Sequence, residues 1–166
     1  MGHSSFEVKS STSFYEMLKA QFEEFKKDDT SSKNAILTSI LAYHLREWLW
    51  KEHEEIIKNI LGVHDQSEFN AYTNRRFYGF PIIREICNGS KHFNTNSEAV
   101  QSSGLRGGAF SPTAFTPAFN IGVLTINDGT SSIKAINLLE GVLEFYEELI
   151  NKLGISKRDN RLRDGV

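Results

Sequence analysis

Phe14, Met17, Leu18, Phe22 and Phe25 recur at spacings of three and four, which predicts an amphipathic helix over residues 13–28. Lys26 and Lys27 fall in its last turn, where cations complement the helix dipole. The run Asp-Asp-Thr-Ser-Ser then breaks the pattern and offers the cap of a second helix over residues 33–61. Apolar residues cover most of the circumference of that helix as far as Trp50, so it is expected to run through the centre of a bundle, and Gly62 ends it. With Ile36 as the origin of phase, Leu37, Ile40, Leu41 and Trp48 define a buried arc, and His44 and Glu47 fall inside it. Residues 67–79 read as a short polar connector with helical character, and Pro81 suits the first turn of a further helix, where its missing N–H would be unpaired anyway.

The pattern changes after Asn94. Between residues 94 and 132 only Glu98, Arg106 and Asp128 are charged, and the segment holds five glycines, two prolines and three phenylalanines. "FNIGVLTINDG" has the β-branched content of a strand leading into an Asn-Asp-Gly turn, and "GGAFSPTAF" is a plausible partner strand. A two-stranded arm is marginal by itself, so this β excursion, about residues 104–127, must pack on the helices or on another subunit. Ile133, Ile136, Leu139, Leu143, Tyr146, Leu149, Ile150 and Leu153 mark a last helix over residues 132–153, capped by Thr130 or Ser131 and closed by Gly154. Residues 155–166 read as a frayed, mildly basic tail. The expected fold is mainly α: one domain over residues 1–166, a helical bundle of four or more helices with a small β-hairpin insertion before the last helix.

Composition narrows the function more than it names it. A net charge of −2 over 166 residues gives no overall positive field for nucleic acid, so a polyanion would have to be met by a local patch. The single cysteine, Cys87, permits neither an internal disulfide nor a thiolate zinc cluster within one chain, which suits a reducing cytoplasm. No secretory leader or membrane-spanning run is legible, so the expectation is a cytoplasmic protein without membrane contact. No motif calls for a cofactor or metal: "KEHEEI" does not match H-E-x-x-H, and "GLRGG" lacks the ending and following helix of a phosphate loop.

The chemistry concentrates in "FPIIREICNGSKHFNTN", residues 80–96. At 100° per residue, Ile83, Ile86, Cys87, Ser90 and Phe93 share an apolar arc with Ile82, while Arg84, Asn88, Lys91 and His92 gather opposite. Phe93 keeps phase only if the helix runs on through Asn88-Gly89; the competing reading makes Gly89 a left-handed residue just past a helix end. A continuous helix aligns Arg84, Asn88 and His92 at i, i+4 and i+8. Such a row suits RNA transesterification: an imidazole moves a proton, an amide orients it, and Arg84 and Lys91 meet the scissile phosphate. A polar stripe of this kind is more often simply the solvated face of an amphipathic helix. His44 and Glu47, at i, i+3 on the central helix, are candidates to satisfy each other or to face that row, and with His92 they could line a small-molecule pocket.

The helical layout together with "REICNGSKH" resembles the HEPN superfamily, compact helical proteins of prokaryotic defence and toxin–antitoxin systems. Nucleases of that family carry an arginine separated from a histidine by four to six intervening residues, the arginine often followed directly by a polar residue such as asparagine. Asn88 and His92 match the N-x-x-x-H part; Cys87 stands where the arginine belongs, and Arg84 is separated from His92 by one residue too many. "AYHLREWLW" with "NGSKHF" is also similar to a group of uncharacterised bacterial proteins of the same layout. The resemblance implies a homodimer with paired motifs that cleaves RNA without metal, the role of toxins and phage defence, with His92, Asn88 and Arg84 catalytic. It leaves open a non-catalytic helical module that dimerises or binds a protein partner, since many family members are inactive binders.

Overall fold

The computed structural model describes residues 8–91, 101–106, 123–127 and 132–155. Five helices, α1 (Ser11–Lys27), α2 (Ser32–Leu61), α3 (Gln66–Arg76), α4 (Gly79–Lys91) and α5 (Ala135–Leu153), surround a core, and three strands, β1 (Gln101–Arg106), β2 (Val123–Asn127) and β3 (Ser132–Lys134), lie between α4 and α5 in sequence. The chain is thus mainly helical, as its periodicity predicts.

Each helix boundary has a local cause. Ser10 and Ser13 form a reciprocal capping box at the start of α1. The Ser31 hydroxyl accepts the Asn34 N–H at 3.3 Å to open α2, and Asp65 does the same for Glu68 at 2.8 Å in α3. Gly62 and Gly154 end α2 and α5 in the left-handed region, at φ of 68° and 66°, where a side chain would be strained. α4 continues through Asn88-Gly89 to Lys91, as the phase of its apolar face requires. The stop at Gly89 is not taken; Phe93, whose phase argued for continuity, lies outside the described residues.

α2 packs against every other helix. It does so on a different arc from the one expected. Leu37 is exposed and Ile36, Ile40, Leu41 and Trp48 are half-buried, whereas Ala35, Thr38, Ser39, Ala42, Leu45, Arg46, Leu49 and Trp50 are buried. The reason is steric. Neighbouring helices approach where side chains are small, and an apolar circumference leaves the phase of burial to that packing. The buried hydroxyls do not go unpaired: Thr38 donates to the Asn34 carbonyl and Ser39 to the Ala35 carbonyl, both at 2.8 Å.

The strands form an antiparallel sheet in the order β1-β2-β3. Ser102 and Ser103 pair with Ile126 and Thr125, and Ile126 pairs with Ile133, with an irregularity between Ser103 and Arg106. Two sequence expectations are corrected here. The partner of the "VLTIN" strand is Gln101–Arg106; "GGAFSPTAF" lies outside the described residues. Ser132–Lys134 is a third strand, so α5 begins at Ala135 with Lys134 as its cap residue and no side-chain cap. Leu124 and Ile126 are buried on alternate positions of β2 and bring the sheet onto α5, which supplies the support that a free arm lacks. Ile155, expected to begin a frayed tail, is buried; residues 156–166 lie outside the described residues.

Tyr146 of α5 ties the centre together. It is fully buried and its hydroxyl donates to the Ala42 carbonyl of α2 at 2.6 Å. Burial holds its phenol well above the ordinary tyrosine range, with the Arg46 charge and backbone N–H opposing. A neutral phenol in the fold and an ordinary one near 10 in the unfolded chain means full stability below about pH 10 and a loss as pH rises further. Tyr146→Phe is therefore expected to cost about 1 kcal/mol at pH 7 and to lose less stability than the parent chain between about pH 10 and pH 12. Denaturant titrations at several pH values check this; parallel pH curves for the two proteins would contradict it.

Candidate functional site

Phe80, Ile82, Ile83 and Cys87 hold α4 against the core, and this fixes which of its residues face outward. Gly79 at its start is demanded by close approach, since a Cβ there would collide with the Phe77 ring and with Leu138. Pro81 and Arg84 are exposed and Asn88 is half-buried, so Arg84 and Asn88 occupy the outer side of α4 one turn apart. The Arg84 guanidinium reaches back to its neighbour Glu85, with Nη2 3.2 Å from Oε1. Arg84 is exposed and Glu85 half-buried, and a pair open to water on its cationic side is salt-screened, so the guanidinium remains exchangeable toward a stronger anion. Lys91 is the last described helical residue, and His92 lies outside the described residues.

His44 and Glu47 are not buried; their side chains are 37% and 45% exposed. His44 Nδ1 lies 3.8 Å from Glu47 Oε2, beyond hydrogen-bond range, while Glu47 Oε1 takes Lys51 Nζ at 2.7 Å. The hydrogen bond from Lys51, then the charges of Lys51 and His44, hold the Glu47 carboxyl below the usual carboxylate range. Glu47, Trp48, Lys51, Glu52 and Lys9 line an open cleft of about 410 Å³, and the Trp48 ring lies 4.9 Å from that of Phe14. Although α2 and α4 are packed neighbours, no hydrogen bond or ion pair among the described residues joins the His44–Glu47 pair to Arg84 or Asn88. The structure therefore brings together two pairs, not one constellation. Among the described residues no group of three His, Cys, Asp or Glu side chains could hold a metal ion.

Two polar arrangements escaped the sequence reading. Arg46 is buried on α2, its Nη1 donating to Thr73 Oγ1 at 3.2 Å and Asn74 Oδ1 at 2.9 Å, and its guanidinium lying over the rings of Tyr43 and Phe80 at 5.1 and 4.8 Å. Two ring faces and two neutral acceptors offset the burial of this charge, and no carboxylate pairs with it among the described residues. Its phase with Ala42 and Leu49 was the signal that could have revealed it. Near the other end of α2, His53 departs from helical geometry at φ −127° and ψ 27°, and its Nε2 stands 3.0 Å from the hydroxyl of buried Ser11. Glu52 accepts the Ser11 backbone N–H and lies 3.7 Å from that same Nε2. A catalytic triad places the carboxylate on the opposite ring nitrogen and the hydroxyl in reach of substrate. This cluster does neither, and it clamps the start of α1 to the kink of α2. Nothing in the spacing of Ser11 and His53 announces it.

Comparison of the chain with protein-family models, with curated proteins and with solved structures returns no match.

Arg46 gives this geometry its test. Arg46→Ala, which removes a stem, two hydrogen bonds and two ring contacts, is expected to cost about 2–4 kcal/mol of folding stability. Arg46→Met keeps most of the volume and removes a buried charge, so its cost is expected to stay within about 1 kcal/mol. Urea titrations decide it; equal losses for the two variants would contradict the stacking account.

Proposed function

We propose that the chain is a HEPN-like helical protein of prokaryotic defence or toxin type that acts on RNA as a homodimer and without a metal, through the row on the outer face of α4. The observation that carries this reading is the unbroken run of α4 through Gly89. Along it Arg84 and Asn88 stand one turn apart on the side away from buried Ile82, and His92 follows in sequence directly after the last described helical residue. In the proposed mechanism Arg84 and Lys91 neutralise the scissile phosphate, His92 moves the proton between the 2′-hydroxyl and the leaving oxygen, and Asn88 orients the imidazole. A second copy of the chain, facing the first across the row, would supply the further basic group that Cys87 does not provide.

A second reading has its own observation. The Arg84 guanidinium is paired with Glu85, Nη2 lying 3.2 Å from Oε1, so a phosphate would have to displace a carboxylate there. A module that binds a nucleic acid or a protein partner without cleaving would look the same.

Cleavage of a single-stranded RNA oligonucleotide by the intact protein in EDTA separates the two. His92→Ala is expected to reduce the rate at least about 100-fold and Asn88→Ala about 10-fold, with Arg84→Gln raising the RNA concentration needed for half-maximal rate. Unchanged cleavage by His92→Ala rejects the catalytic row, and binding without cleavage by the unsubstituted protein favours the second reading. Light scattering over a range of concentrations is expected to give twice the chain mass; a monomer throughout removes the homodimer.

A further inference from the structure

The stretch from Phe69 to Arg84 contains Arg75, Arg76, Arg84, two tyrosines and three phenylalanines, and not one aspartate or glutamate, in a chain whose net charge is −2. Its middle is the elbow between α3 and α4. Phe77 turns inward there, its ring 5.5 Å from Phe80 and 6.1 Å from Phe145, and the Gly79 backbone is pressed against that ring. Seating Phe77 in the core drives the next side chain out. Tyr78 is 68% exposed, and few other large apolar side chains among the described residues stand open to solvent at all.

The cations beside it are available. Arg75 and Arg76 are exposed, and neither makes an ion pair among the described residues, whereas Lys19, Lys26, Lys27, Lys51 and Lys58 are each paired with a carboxylate of their own helix. Arg76 shares a small cleft with Glu148 and with Lys152 of α5, whose Nζ lies 5.6 Å above the Tyr72 ring. Solvated surface arginines are common; a projecting aromatic ring two residues after an arginine pair, on an elbow whose own sequence carries no acid, is a more specific arrangement. It matches the chemistry of single-stranded nucleic acid, in which phosphates take the guanidinium groups and an unstacked base lies on an aromatic face. Tyr78 also continues onto the outer side of α4, with Pro81, Arg84 and Asn88 following at steps of three, three and four.

We propose that the α3–α4 elbow is a docking surface for single-stranded RNA, in which a base stacks on Tyr78 and the flanking phosphates are held by Arg75 and Arg76, so that the strand leads onto the α4 row. This rests on the RNA-directed reading above and adds the surface that holds the strand.

The test uses the full-length protein and a fluorescein-labelled oligouridine, with anisotropy measured from low to high salt in EDTA. His92→Ala is used throughout so that binding is read without cleavage. Tyr78→Ala is expected to weaken binding by roughly 5- to 100-fold at constant salt slope, the range of one lost base–aromatic stack. Arg75→Gln with Arg76→Gln is expected to weaken binding and to lower the slope of log affinity against log salt by about 1.4, the loss of two phosphate contacts on a single strand. All these side chains are exposed, so thermal denaturation is expected to match the parent. Binding that is unchanged in both elbow variants overturns the elbow while leaving the α4 row standing. Elbow-dependent binding, together with no RNA cleavage by the protein carrying His92 unsubstituted, upholds the elbow and rejects the catalytic row. Equal displacement by poly-glutamate and by oligouridine of the same length overturns base stacking in favour of an acidic protein partner, and no binding at all overturns the elbow as an RNA surface.

Discussion

The outer face of α4 and the α3–α4 elbow depend on one aromatic cluster. Phe77 of the α3–α4 elbow, Phe80 of α4 and Phe145 and Tyr146 of α5 meet edge to face or stacked, with centroids 5.2–6.1 Å apart. Arg46 of α2 lies over Phe80 and ties α3 through Thr73 and Asn74, and Tyr146 donates to the α2 backbone at Ala42. Aromatic pairs of this geometry contribute about 0.5–1.5 kcal/mol each beyond the area they bury. Four helices are fixed to one another by five side chains.

The orientation of the candidate site follows from that cluster. Phe80, Ile83 and Cys87 commit one side of α4 to the core, so Arg84 and Asn88 have no alternative to the outer side. Phe77 commits the elbow in the same way and leaves Tyr78 in water. The His44–Glu47 pair, by contrast, sits half-exposed on α2, held by Lys51 and not by the core. It is a solvated ion cluster, and the chemistry expected of a buried imidazole–carboxylate pair does not transfer to it.

Sequence patterning located the first, second, fourth and last helices and read α3 as a connector with helical character, and the stops were clearest where Gly62 and Gly154 turn left-handed. The continuity of α4 through Asn88-Gly89 was only half legible: the phase of Phe93 pointed to it, while Asn-Gly is also a common helix stop, and the helix does run on to Lys91. The buried arc of α2 was not legible, because an apolar residue on nearly every side makes all phases look alike and the decision falls to small residues such as Ala35 and Ala42. Nor was Arg46, whose burial needs two rings and two acceptors brought from positions 27 or more residues away in three of those four cases. Strand partners failed for a related reason: a Gly- and Ser-rich segment specifies its register weakly, so Gln101–Arg106 could not be told from its neighbours as the mate of β2.

The central claim is that RNA meets this protein along the elbow and the outer face of α4. Photocrosslinking a 4-thiouridine-substituted single strand to the native protein, followed by mass-spectrometric mapping of the modified peptides, addresses it most directly. The account predicts crosslinks on peptides spanning residues 75–92, with Tyr78 prominent. Crosslinks confined to the Trp48 cleft of α1 and α2, or spread evenly over the surface, would contradict it.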